Sequence, residues 1–144
     1  MEYVVSRPYE LPRRRQELAT EFFFNLWGSR YWPYQLLEVG DILYWYHSKA
    51  KTIVWRTRTA EVDRLPYNDK ERLAQALESR FGPFDHQQPY FAEGTNSGFC
   101  LAYKVLPLEQ LQRAKPEALR FPQLGWLRVD SGWVLEWVGR PEVA

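Results

Sequence analysis

The most telling pattern of apolar and polar positions lies between Gly40 and Leu65. Ile42-Leu43-Tyr44-Trp45-Tyr46-His47 forms an aromatic and aliphatic run behind a Gly40-Asp41 step. Ser48 to Lys51 is a short polar and basic break, and Thr52 onward is a second β-rich run, the pattern of a hairpin. In the returning arm Ile53, Trp55, Thr57, Thr59 and Glu61 alternate with Val54, Arg56, Arg58, Ala60 and Val62. Thr52 to Leu65 is long for one strand, so a bend or bulge is expected near Thr59-Ala60.

The same reading extends along the chain. Tyr3-Val4-Val5, closed by Arg7-Pro8, predicts a strand over 2–6. After Pro12, Leu18, Phe22 and Leu26 recur at four-residue steps and predict a helix over 12–27 stopped by Gly28, although Thr20 to Trp27 also reads as a strand through Phe22-Phe23-Phe24. Tyr31-Trp32-Pro33-Tyr34 is an irregular aromatic loop whose rings either plug the end of a barrel or face a ligand. Asn68 as N-cap and Glu71 as its reciprocal partner open a helix with Leu73, Ala76, Leu77 and Phe81 as its buried stripe, and Gly82-Pro83 ends it. Residues 84–98 are polar and aperiodic and predict a long loop. Phe99 to Leu106 reads as a strand with Phe99, Leu101, Tyr103 and Val105 on one face, and Pro107 to Arg113 as a short helix. Gly125 to Val129 and Trp133 to Val138 flank Asp130-Ser131-Gly132 as a terminal hairpin. The elements together predict one α+β domain over 1–144.

Composition sharpens this in two ways. The chain is 17% aromatic, more than a core of this size needs, so some rings are expected to be exposed or to line a pocket. The formal net charge of +1 argues against coating nucleic acid by bulk electrostatics, which wants a broad basic excess. A local patch remains: Lys49, Lys51, Arg56 and Arg58 either meet phosphate or form a solvated face.

Catalytic traces are thin. Cys100 is the single cysteine, which excludes an internal disulfide, and two histidines with no second cysteine give no zinc-finger spacing. His47, Ser48, Cys100 and the Asp85-His86 pair come with no supporting triad motif, and Gly94 and Gly98 lack the lysine and spacing of a phosphate loop. No metal or cofactor is expected. The start of the chain lacks a signal-peptide pattern and no long apolar run is present, which predicts a soluble cytoplasmic protein with no membrane association.

The block Gly40 to Ser48 resembles the PUA-like superfamily, above all its EVE branch, whose members carry a Gly-Asp, a hydrophobic run, then Tyr-His-Ser or similar. Trp32-Pro33 upstream, the strand through Val54 to Val62, Pro66-Tyr67, and Tyr103 to Leu111 are similar in order. The resemblance implies a small closed or nearly closed β-barrel with peripheral helices, used to bind RNA or modified bases in DNA. Related YTH domains hold a flipped base in an aromatic pocket, and some EVE-like domains serve modification-dependent restriction systems, which implies a nuclease or other effector as partner. On this resemblance Trp32, Trp45 and Trp55 are candidate pocket walls, Tyr46 and Ser48 polar contacts, and Lys49, Lys51, Arg56 and Arg58 phosphate contacts. Two rivals stand beside this noncatalytic reader: a small ASCH-type enzyme acting on nucleic acid or a nucleoside, with Asp85-His86 in its site, and a protein-interaction module anchored by exposed aromatics.

Overall fold

The computed structural model describes residues 1–130 and 132–139. In chain order the elements are β1 (Glu2–Arg7), α1 (Arg15–Thr20), β2 (Phe23–Trp27), α2 (Trp32–Leu36), β3 (Ile42–His47), β4 (Thr52–Tyr67), α3 (Lys70–Phe81), α4 (Pro89–Ala92), β5 (Gly98–Ala114), β6 (Trp126–Arg128) and α5 (Gly132–Trp137). The six strands form one sheet in the order β2-β5-β4-β3-β1-β6, antiparallel except where β1 runs parallel to β3.

The sheet curls into a half-barrel. Tyr103 on β5 and Trp126 on β6 are separated by three strands, about 19 Å in a flat sheet at the usual strand spacing. Their rings nevertheless lie 5.9 Å apart. Period-2 alternation decides which residues fill the enclosed side. Tyr3, Val5, Phe23, Trp27, Leu43, Trp45, Trp55, Leu101, Tyr103, Val105 and Trp126 come from all six strands and form one core. The opposite parity packs outward. Val4, Tyr44, Tyr46 and Ile53 lie under Leu119 and Trp137, while Cys100 and Ala102 lie under Leu73, Ala74 and Leu77 of α3 and Phe91 of α4. The sheet's edges are β2 and β6, so the barrel expected from the resemblance is open along that seam.

The central hairpin forms in the expected register, with Trp45 opposite Trp55 and Tyr44 opposite Arg56. A register shift lets both Ile53 and Trp55 be buried on opposite sides, and a further shift falls between Thr59 and Glu61, where a bend was expected. Gly40 takes a φ of +96°, and the Asp41 side chain accepts from the Glu38 amide at 2.9 Å. The Gly-Asp step is therefore a turn that sets the start of β3.

Several local expectations are corrected. The helix expected over 12–27 stops at Thr20, because Glu21 is extended. Phe23, Asn25 and Trp27 then face the enclosed core and Phe22, Phe24 and Leu26 the outer one, a strand covered on both sides whose continuous apolar run mimics helical spacing. The aromatic loop contains α2, with Pro33 in its first turn. The N-cap of α3 is Asp69, not Asn68, its carboxylate accepting from the Glu71 amide at 2.8 Å, and Ala74 rather than Ala76 is buried. The loop 84–98 carries α4. Residues 107–113 extend β5 instead of forming a helix, with Pro107 seated beside a register shift opposite Thr57, where its missing N–H is tolerated. The terminal hairpin does not form: β6 pairs with β1, and the run from Trp133 lies in α5. Ser131, in the predicted turn, lies outside the described residues.

Candidate functional site

The open seam holds a cleft of about 1140 Å³. Its walls are the end of β1 with Pro8 and Tyr9, the whole of β2, Tyr31, the Gln88 to Tyr90 segment, and the Gln123 to Gly125 turn before β6. Seams between sheet edges are where a curled sheet leaves side chains of the enclosed face within reach of solvent.

The cleft is built around Arg7. Parity on β1 turns its side chain to the enclosed face, where it is 8% exposed. It donates to the Asn25 Oδ1 at 3.1 Å, to the Ser6 carbonyl at 3.2 Å and to the Tyr103 hydroxyl, and its guanidinium lies 5.4 Å from the centre of the Trp45 ring. The Tyr103 hydroxyl also donates to Asn25 Oδ1 at 3.0 Å. No carboxylate pairs with Arg7 among the described residues. Burial opposes its charge, but the Tyr103, Tyr9 and Tyr90 phenols around it offset this and its pKa is raised. Burial pushes the Tyr103 phenol up as well, against the pull of Arg7, so that it stays a neutral hydroxyl. The result is a permanent cation whose hydrogen bonds go to neutral acceptors and not to a carboxylate.

The rim is aromatic. Tyr9, Tyr31 and Tyr90 are 49%, 47% and 48% exposed and all line the cleft. Tyr31 meets Trp27 edge-on at 6.1 Å, and the Tyr90 hydroxyl accepts from the Leu26 amide at 2.9 Å. Glu21 is the one acidic residue of the lining, and burial together with Glu17 raises its carboxyl above the usual range.

The residues expected to form the pocket lie elsewhere. Trp45 and Trp55 are 0% and 2% exposed, with their indole N–H groups satisfied by Thr57 Oγ1 and the Pro12 carbonyl, both at 2.9 Å. Tyr46 is buried on the outer face, stacked on Phe121 at 4.7 Å. Trp32 is half-buried, 5.5 Å from Tyr3 and 6.4 Å from Trp126, with Arg128 over its ring at 5.1 Å. Ser48 donates its amide to the Arg7 carbonyl at 2.9 Å. None of these five lines the cleft, and the three tryptophans pack the core and its margin. Trp45, Trp55 and Tyr46, whose faces are filled by protein, offer a ligand little surface, whereas Trp32 keeps part of its ring in solvent outside this cleft.

The basic group does not converge on the cleft either. Arg56 and Arg58 lie opposite Tyr44 and Ile42, on the outer parity of the sheet, while Lys49 and Lys51 are exposed at the hairpin turn. His86 pairs with Glu78 at the surface and Asp85 accepts from the Gln87 amide at 2.9 Å, so Asp85-His86 makes no buried cleft pair. The buried Cys100 thiol is pushed up by its surroundings and remains protonated. Among the described residues no group of three or more His, Cys, Asp or Glu is placed to hold a metal ion, and no helix is long and apolar enough to cross a membrane.

Sequence reasoning passed over Arg7, Asn25 and Tyr103. Two weak signals were present: a charged residue ending a β-prone run, and one amide among the aromatic positions 22–27.

No family model and no curated protein sequence matches the chain. Among solved structures it is similar to the crystal structure of ASCH from Zymomonas mobilis, with a TM-score of 0.51 and 17% identity over 89% of this chain and 88% of that one. It is also similar to a serine-to-alanine variant of that protein, with a TM-score of 0.53 and 16% identity over 89% of each chain. A tyrosine-to-phenylalanine variant gives a TM-score of 0.53 and 15% identity over 89% of this chain and 91% of that one. At these identities the likeness is one of fold: the chain adopts a fold similar to that of the Zymomonas mobilis ASCH protein.

Proposed function

We propose that the chain is a noncatalytic nucleic-acid-binding domain, for RNA or DNA, that receives one unpaired, flipped or modified base in the seam cleft. The observation that carries this reading is Arg7, a guanidinium 8% exposed with no carboxylate partner among the described residues, at the floor of a cleft rimmed by three half-exposed tyrosines. A buried charge without a counter-ion depends on the polar groups around it, and such a group in a cleft is a candidate ligand site. A carbonyl-bearing base or its phosphate would meet the charge of Arg7, which its neutral acceptors leave without a counter-ion. A base taken out of its stack loses its neighbours, and an aromatic ring restores about 1–3 kcal/mol per base. The amides of Asn25, Gln88 and Gln123 add neutral donors and acceptors suited to a base edge rather than to a metal or an acid.

The rivals have less support. Of the exposed rings among the described residues, Tyr9, Tyr31 and Tyr90 line one concave cleft while Trp133 lies apart from it, and the Asp85-His86 pair does not face the cleft. Lys49, Lys51, Arg56 and Arg58 act on this reading as outlying phosphate contacts along the outer face, and an effector such as a nuclease would supply any cleavage.

Titration of fluorescent single-stranded RNA and DNA octamers, plain and with methylated or hydroxymethylated bases, tests the reading. Saturable binding is expected, weakened by about tenfold or more in Tyr9→Ala and Tyr31→Ala, since one lost stack is worth about 1–3 kcal/mol. Both rings are half-exposed, so the unfolding midpoints should be unchanged. Absence of saturable binding, or binding indifferent to both substitutions, overturns it.

A further inference from the structure

We propose that the cleft reads the Watson–Crick edge of its base with main-chain groups of β2, specifically the N–H and C=O of Phe24; this rests on the base-binding reading above. In an antiparallel pair, residues alternate between those whose N–H and C=O both point to the partner strand and those whose groups both point away. The Leu26 amide donates to the Tyr90 hydroxyl instead of to β5, which fixes Leu26, and by alternation Phe24, as the outward-pointing residues. Because β2 is an edge strand, no described strand lies on that side. No hydrogen bond from the Phe24 N–H or to its C=O joins β2 to other described elements. Both parities of β2 line the cleft, so the cleft runs along the edge itself.

Main-chain N–H and C=O groups require partners, from ligand or water. The two groups of one outward-pointing residue lie side by side and form a fork that donates one hydrogen bond and accepts another. Every nucleobase carries an adjacent donor and acceptor on its Watson–Crick edge, so the fork matches a base with no side chain involved. An added peptide strand, the other common occupant of a sheet edge, fits less well. Strand addition needs successive outward residues, and the Tyr90 hydroxyl already occupies the Leu26 N–H. That leaves Phe24 as the one residue of β2 with both groups open toward the cleft.

The Phe24 ring itself packs on the outer face against Phe84 and Phe91 and beside the rim ring of Tyr90, so its effect has to be separated from that of its main chain. Two experiments separate it from its alternatives. The first uses the unaltered protein and octamers in which the Watson–Crick donor is methylated away without adding charge: N6,N6-dimethyladenine, N4,N4-dimethylcytosine, N3-methyluracil and N1-methylguanine. For whichever base binds best, the blocked form should bind about tenfold or more weakly, the scale of losing one hydrogen bond and leaving its partner unpaired. The second compares Phe24→Ala with Phe24→Pro. Both remove the ring, but only proline removes the N–H, and an outward edge position tolerates it in the ladder. Affinity per folded molecule should be about tenfold lower in the proline variant than in the alanine variant, whatever the loss of the ring itself costs, and equal affinities overturn the main-chain reading. Equal binding of blocked and unblocked bases overturns the main-chain reading even if the tyrosine substitutions still weaken binding, in which case base binding itself stands. Competition by an extended peptide, with no oligonucleotide binding, overturns both.

Discussion

The hairpin core and the seam cleft are both aromatic, yet only one is closed. In the hairpin core the polar atoms of the two facing tryptophans are matched by protein: Trp45 Nε1 donates to Thr57 Oγ1, Thr57 Oγ1 donates to the Leu43 carbonyl, and Trp55 Nε1 donates to the Pro12 carbonyl. Around Arg7 the hydrogen bonds stop short of neutralising the charge, and the nearby rings of Tyr9, Tyr31 and Tyr90 keep about half their surface in solvent. Aromatic density alone therefore says nothing about a site. The useful signal is an aromatic region that holds a charge with no counter-ion among the described residues, and here that region is where the curled sheet fails to close.

The contrast breaks most visibly under truncation of the core. Trp45→Ala should destabilise the fold by about 3–5 kcal/mol, the range for a fully buried large aromatic, while affinity per folded molecule falls little. Trp32→Ala sits between the regions. It takes away the packing of this ring on Tyr3, Trp126 and Arg128, but the ring is only half-buried, so a loss of about 2 kcal/mol is expected, again without a matching loss of affinity. Denaturant midpoints and oligonucleotide titrations on the same preparations separate the two quantities. A Trp32 variant of unchanged stability that no longer binds would move the site to the other side of the enclosed core.

A smaller effect follows from pH. Burial raises the pKa of the Cys100 thiol and of the Tyr103 phenol above their ordinary values of 9.0 and 10.0. Both are acids kept protonated in the folded state, so their contribution is complete below those ordinary values and is lost as pH rises above them, when only the unfolded chain releases the protons. The urea midpoint should fall above pH 9, with a limiting slope of about 1.4 kcal/mol per pH unit for each group. Cys100→Ala should remove the earlier part of the fall. A midpoint flat from pH 8 to 10.5 contradicts this. Smallest of all, Arg56→Ala and Arg58→Ala, on the outer parity, should weaken oligonucleotide binding by less than the tyrosine substitutions. Their main effect should be a flatter salt dependence, by about one unit of slope for each phosphate that is no longer neutralised.

Much of the strand framework was legible because alternation is a local property. Tyr3-Val4-Val5, the hairpin from Ile42 and the faces of Phe99 to Val105 could be read residue by residue. What failed needed long-range information. Residues 107–113 have the local marks of a helix start, yet pairing with the first half of β4 holds them extended. The stretch Phe22 to Trp27 has apolar residues at both helical and strand spacing, and only the presence of a core on each side decides between them. The site was hidden for the same reason. Arg7, Asn25 and Tyr103 lie 18 and 96 positions from one another along the chain when counted from Arg7, and they meet only because β5 and β2 curl over β1. The Gly40 to Ser48 block, by contrast, marked the central hairpin and drew attention to rings that the fold then buried.

The central claim is that Arg7 is held for a ligand and not for the fold, and Arg7→Met tests it most directly. Methionine fills a similar volume without charge, and the Tyr103 hydroxyl keeps its bond to Asn25 Oδ1, so little is left unpaired. The account predicts that the unfolding midpoint changes by less than about 1 kcal/mol or rises, because a buried charge without a counter-ion has been removed. It also predicts that affinity for the best-binding octamer falls by more than about tenfold, the scale of a lost charge-assisted hydrogen bond. Unchanged affinity per folded molecule, together with a loss of several kcal/mol of stability, would contradict it.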